Sequence, residues 1–211
     1  MAVALTWDLS VLHPGAFEAD VVGTSVSGGV AVPGGVSHAA SYAYGGLVQV
    51  AYGRIPVLGK AQHLLWNRLA ARLNGGLRDV AVPILTDRIA PAGIVATLDG
   101  AHSLQATSVA IAVTAGAALN GGEWLGLDHA DAELRVYRIA SIVSATPLGG
   151  GAVDYVVTVA PPLRDAAASG ATVNFVRPAC QMKLAPGESM AWRVGADWTS
   201  RPSVSFVEAE F

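Results

Sequence analysis

Strand signals dominate this chain, as hydrophobic and polar residues that alternate with period two. The clearest case is Val153-Asp154-Tyr155-Val156-Val157-Thr158-Val159, where Val153, Tyr155, Val157 and Val159 share one face, as a half-buried strand requires. Glu133 to Val143 is predicted to pair with it. Between them Pro147-Leu148-Gly149-Gly150-Gly151 supplies the backbone freedom of a hairpin loop. Ser108 to Thr114 alternates Val109, Ile111 and Val113 with small residues, and Asn120-Gly121-Gly122 then turns the chain into Glu123 to Leu127. Met190 to Val194 and Pro202 to Glu210 read as two more strands. Leu163 to Ala168, after Pro161-Pro162, is expected to form one or two helical turns capping a barrel.

One stretch changes period. Leu58, Ala61, Leu65 and Leu69 follow helical spacing, and Leu64 and Leu73 widen the stripe, which predicts a helix over about Leu58 to Leu73. Lys60, Arg68 and Arg72 lie off that stripe. Asn74-Gly75-Gly76 ends the helix, because Asn and Gly tolerate the left-handed C-terminal conformation. The fold class is therefore mainly β: a β-sandwich with one flanking α-helix, plus an inserted small barrel-like β domain.

The charge pattern sharpens this picture. No acid lies between Asp20 and Asp79, while Arg54, Lys60, Arg68, Arg72 and Arg78 do. Only 14% of the 211 residues are charged, against roughly 25% in ordinary soluble domains. Two explanations fit: extensive permanent contact between subunits, or a β protein whose surface is Ser/Thr-rich. Residues 99–177 hold four bases and seven acids, whereas the remainder holds nine of each. The middle reads as an acidic, strand-rich insert at 99–177, between the two pieces of a discontinuous β-sandwich unit, 1–98 and 178–211. Pro91-Ala92-Gly93 and Arg177-Pro178 are the expected hinges. Gly23 to Gly46 carries seven glycines and no Asp, Glu, Lys or Arg. It reads either as a long hairpin with a mobile tip or as an arm that orders against a neighbour.

Composition excludes several classes. A net charge of −3 does not suit a general nucleic-acid binder. The single cysteine, Cys180, rules out an internal disulfide and a cysteine zinc cluster. MAVALTWDLS lacks a basic start and contains Asp8, so it does not read as a signal peptide. The uncharged window from Gly100 to Gly122 is broken by Ser, Thr, Gln, Asn and Gly, so no membrane insertion is expected.

Candidate chemistry is sparse. Asp128-His129-Ala130-Asp131 could offer two carboxylates and an imidazole to a metal, but it lacks calcium-loop spacing and has no second His or Cys nearby; a polar turn is the plainer reading. Asp8 with His13, and His63 on the helix, are single candidates without visible partners. No Gly-x-Ser-x-Gly elbow is present, and the Gly-Gly pairs at 28–29 and 34–35 are not followed by Gly-Lys-Ser/Thr. The chain is expected not to be an enzyme and to need no cofactor. Trp66, Trp124, Trp192 and Trp198 could line a sugar groove, though tryptophans at strand and helix positions more often fill cores or subunit contacts.

Two stretches carry a resemblance. Gln49-Val50-Ala51-Tyr52-Gly53-Arg54-Ile55-Pro56-Val57-Leu58, the helix, and Gly75-Gly76-Leu77-Arg78-Asp79-Val80-Ala81-Val82-Pro83 resemble the N-terminal part of distal tail and related minor tail proteins of long-tailed bacteriophages. Val156 to Arg164, Ala168 to Phe175 and Arg177-Pro178-Ala179-Cys180-Gln181-Met182-Lys183-Leu184 resemble the C-terminal half of the same group, and Val204 to Ala209 fits as well. The resemblance covers about half the chain, and the order of the pieces carries it. Gly23 to Gly46 departs from it, being richer in glycine.

The resemblance implies a virion protein at the tail tip, made in the bacterial host cytoplasm. It implies a ring, usually a hexamer, joining the last layer of the tail tube to the baseplate hub, with the tape measure protein as a further neighbour. It implies neither catalysis nor a cofactor. Arg54, Lys60, Arg68 and Arg72 are the expected subunit-interface residues, meeting Asp87, Glu208 or Glu210 of the adjacent copy. A trimeric hub or adaptor protein, and a host-glycan binding module of the tail, are the alternatives.

Overall fold

The structure is a computed structural model that describes residues 5–23, 25–27, 39–41, 46–87, 89–131, 133–191 and 199–209. Along the chain run β1 (Ala16–Val22), β2 (Ser25–Ser27), β3 (Ala39–Ser41), β4 (Leu47–Gly53), helix α1 (Lys60–Leu73), β5 (Val80–Pro83) and β6 (Val95–Leu98). Then come β7 (Ser108–Ala115), β8 (Trp124–His129), β9 (Glu133–Gly149), β10 (Ala152–Ala160), β11 (Thr172–Val173), β12 (Ala179–Leu184) and β13 (Val204–Glu208). The protein is mainly β with one long helix, as the alternation predicts.

Two antiparallel sheets do most of the work. The first has the order β1-β4-β13-β12-β5 and the second β11-β6-β7-β10-β9-β8, while β2 and β3 pair by themselves. β4 and β5 thus share one sheet, separated by β13 and β12. The second sheet starts with β6 at Val95, four residues ahead of the insert boundary read from charge.

Alternation builds the first core. Val48, Val50 and Tyr52 of β4 point to the same face as Val204 and Phe206, Cys180, Met182 and Leu184, and Val80 and Val82. Trp7 packs at its centre, with ring centroids 5.3 Å from Tyr52, 5.5 Å from Phe206 and 6.0 Å from Trp66. The Tyr52 hydroxyl donates to the Pro83 carbonyl, tying β4 to β5 across two intervening strands. α1 lies over this face through Trp66, Leu69 and Leu73, all buried.

That burial corrects the predicted stripe. Leu58 and Leu64 are 52% and 60% exposed, and Ala61 is exposed, whereas Trp66 is fully buried. The physical reason is the indole. Trp66 offers the largest apolar area on the helix, and its Nε1 donates to the Met190 carbonyl at 2.8 Å, so the helix is rotated to put Trp66 inward. The helix begins where the Gln62 side chain accepts from the Leu58 and Gly59 amides, at 2.9 and 3.0 Å. It ends at Asn74, in the left-handed conformation expected (φ 47°, ψ 51°).

The second sheet is a nearly closed barrel. Its end strands meet through paired hydrogen bonds between Gly126 of β8 and Asn174, at 2.7 and 3.0 Å. Val109, Ile111, Val113, Leu125, Leu127, Tyr137, Tyr155, Val157 and Phe175 fill the interior. The β9–β10 pairing follows the prediction, but β9 runs on through Pro147 to Gly149, so that only Gly150 and Gly151 turn the hairpin, both at positive φ. Leu163 to Ala168 is not helical: Ala167 pairs with His102 through two 2.9 Å backbone bonds, which hold it extended along the barrel. Of the predicted strand at Met190, residues 192–194 lie outside the described residues, and Met190 and Ala191 are not in a strand. Most of Gly23 to Gly46 lies outside them too.

Candidate interaction surface

The outward arc of α1 follows from its period. Lys60, Leu64, Arg68 and Arg72 are each four residues apart, so they form one shallow spiral stripe opposite Trp66, Leu69 and Leu73. All four are exposed, and the small side chains Ala61 and Ala71 lie between them, also exposed. Leu58 precedes the helix and Leu77, 79% exposed, follows it. The face therefore has an apolar centre and a cationic rim.

Helix stability does not explain these charges. Lys60 occupies the first turn, where the macrodipole favours acids, and that turn contains none. Arg68 and Arg72 are like charges at i, i+4, a repulsive spacing. Only Arg72, in the last turn, suits the dipole. Among the described residues none of Arg54, Lys60, Arg68 or Arg72 forms an ion pair. Arg54 stands apart from the stripe, on the loop after β4 with φ 52°, where its amide faces the Ser203 hydroxyl at 3.4 Å.

The acids expected to meet these cations behave differently. Glu208 is 3% exposed and is spent inside its own chain. Its Oε1 and Oε2 each accept from Arg164, through Nε and Nη2, at 2.9 Å. Arg135, fully buried, stands 3.8 Å from the same carboxylate and donates to the Gln181 carbonyl at 3.1 Å. The Val48 amide also donates to Glu208, and Arg164 donates to the Gly46 carbonyl. Glu208 therefore cannot serve a neighbour; it joins the barrel residues Arg135 and Arg164 to the first sheet. Asp87 is exposed but paired with Arg177 at 3.2 Å. Glu210 lies outside the described residues.

A signal for this junction is present in the alternation. Glu208 falls in phase with Val204 and Phe206, and Arg135 in phase with Tyr137 and Ile139. Charges at core-phase positions of two strands call for each other as partners, because an unpaired buried charge is too costly to keep.

The remaining candidates resolve into structural roles. Asp128, His129 and Asp131 lie at the β8–β9 turn, but His129 points inward, 2.8 Å from the Tyr137 hydroxyl and 3.3 Å from the Ala166 carbonyl. Desolvation holds its pKa below the ordinary histidine value and raises that of Tyr137. Among the described residues no group of three His, Cys, Asp or Glu could hold a metal ion. Asp8 binds Ser10, whose hydroxyl lowers its pKa, and His13 is 3.0 Å from the Pro14 carbonyl. Burial pushes the Cys180 thiol up to about 12, so it stays protonated. Trp66 and Trp124 are core residues, and Trp192 and Trp198 lie outside the described residues. Among the described residues no helix is long and apolar enough to cross a membrane.

No protein-family model matches this chain, and no curated protein matches it.

Proposed function

We propose that this chain is a virion structural protein that closes into a ring, usually of six copies, joining the end of a phage tail tube to the baseplate hub. The observation that carries this reading is the outward face of α1. Its apolar centre at Leu64 and its cations Lys60, Arg68 and Arg72, which form no ion pair among the described residues, suit contact with another protein. The ordered resemblance of both halves of the chain to distal tail proteins supports the particular assembly. Ring closure is then the physical work: one heterologous contact, repeated around an axis, closes when its rotation divides the circle. Tail tube, hub and tape measure proteins are the proposed neighbours. Trp66 and Trp124 are buried and offer no face to a sugar, while Trp192 and Trp198 lie outside the described residues. Negative-stain electron microscopy of the purified protein tests the proposal: closed rings with a central channel are expected, threefold particles would favour a hub, and single subunits would refute it.

A further inference from the structure

Resting on that assembly reading, the charge distribution identifies what the α1 face meets. We propose that the occupant is a second copy of this chain, presenting the β8–β9 turn of its barrel. That turn holds Asp128, Asp131 and Glu133 within six residues, all exposed. Among the described residues none of the three forms an ion pair: Arg135 and Arg164 are directed into the Glu208 junction, and the intervening His129 is buried against Tyr137. His129 and Glu133 pair at the base of the turn, and the Asp131 amide donates to the Asp165 carboxylate at 3.2 Å. Elsewhere, Glu208 is consumed, Asp87 pairs with Arg177, and Asp20 stands 3.9 Å from Arg138, while the exposed Glu18, Asp99 and Glu188 lie on separate elements and do not form a cluster of three.

Each copy therefore carries a cationic face and an anionic tip on different elements. Surfaces on different elements can be joined head to tail, where every tip meets the next helix. Complementary charge sets the register, and Leu64 with Ala61 and Ala71 supplies the apolar seat between the cations.

Paired charge reversal tests this. Arg68→Glu with Arg72→Glu reverses the face; Asp128→Lys with Asp131→Lys reverses the tip. By native mass spectrometry each double variant is expected as a folded monomer, with its circular dichroism unchanged. Mixing the two is expected to restore the wild-type oligomer with alternating subunits, because each reversed face then meets a reversed tip. A tip variant that assembles like wild type, or a mixture of two folded variants that stays monomeric, overturns the inference. If in that case the wild type is still a ring, the assembly reading stands. A monomeric wild type sinks both.

Discussion

Arg164 clasps Glu208 side-on, with two N–H···O contacts of 2.9 Å, across 44 residues of sequence and across the boundary between the two sheets. Arg164 follows β10 of the barrel, and Glu208 ends β13 of the first sheet. Both are largely withdrawn from water, so the bond is little screened. Glu208→Gln removes the charge that both guanidiniums face. A loss of about 3–5 kcal/mol is expected in urea unfolding, the range for breaking a buried pair. Arg177→Ala breaks the exposed pair with Asp87 and should cost less than about 1 kcal/mol. Equal costs for the two variants would show that the junction does not hold the barrel to the sheet.

Barrel closure depends on a missing side chain. A Cβ on Gly126 would stand 2.8 Å from Pro178 Cβ and 3.1 Å from its Cα, closer than packed carbons come. Gly126→Ala is therefore expected to push β8 away from Asn174 and destabilise the fold by about 1–3 kcal/mol. Hydrogen exchange should show the Gly126 and Asn174 amides losing protection first. Unchanged protection at both would mean that Pro178 yields without cost.

Trp66 is the largest of the three buried residues that anchor the helix. Trp66→Ala removes the indole from the first core and leaves the Met190 carbonyl without its donor. A loss of about 3–5 kcal/mol is expected from thermal unfolding. Leu64→Ala, on the opposite face, should leave the subunit's stability within about 0.5 kcal/mol while weakening assembly. A large loss of subunit stability from Leu64→Ala would place that side chain in the core instead.

Acid should weaken the barrel through His129. Its folded pKa lies below the unfolded value of 6.5, because burial disfavours the imidazolium. As pH falls through the unfolded value, the unfolded chain takes up the proton before the folded one does. The stabilisation is complete above that pH and is lost as pH drops toward and through the folded pKa. His129→Gln should flatten the fall in stability between neutral and mildly acidic pH. An identical pH profile in the variant would remove His129 as the cause.

Sequence reading reached the parts governed by local rules. The strands of the β9–β10 hairpin, the alternation of β7 and the Asn74 stop follow from period and turn chemistry, which act over a few residues. The phase of α1 did not, because Ala61, Leu64 and Leu65 compete with Trp66 on apolar spacing alone. A tertiary partner, the Met190 carbonyl 124 residues away, decides the contest. The roles of the acids were likewise illegible by composition. Glu208 and Asp131 look alike as isolated letters, yet one is buried beside two arginines and the other projects from a turn. Leu163 to Ala168 read as helical because its small apolar residues fit a turn, but its pairing with His102 comes from the closed barrel.

Native mass spectrometry of the unmodified protein decides the proposed ring. One dominant closed oligomer, most simply a hexamer, that dissociates as ionic strength rises is the expected result. A single folded monomer persisting at high protein concentration and low salt would contradict it.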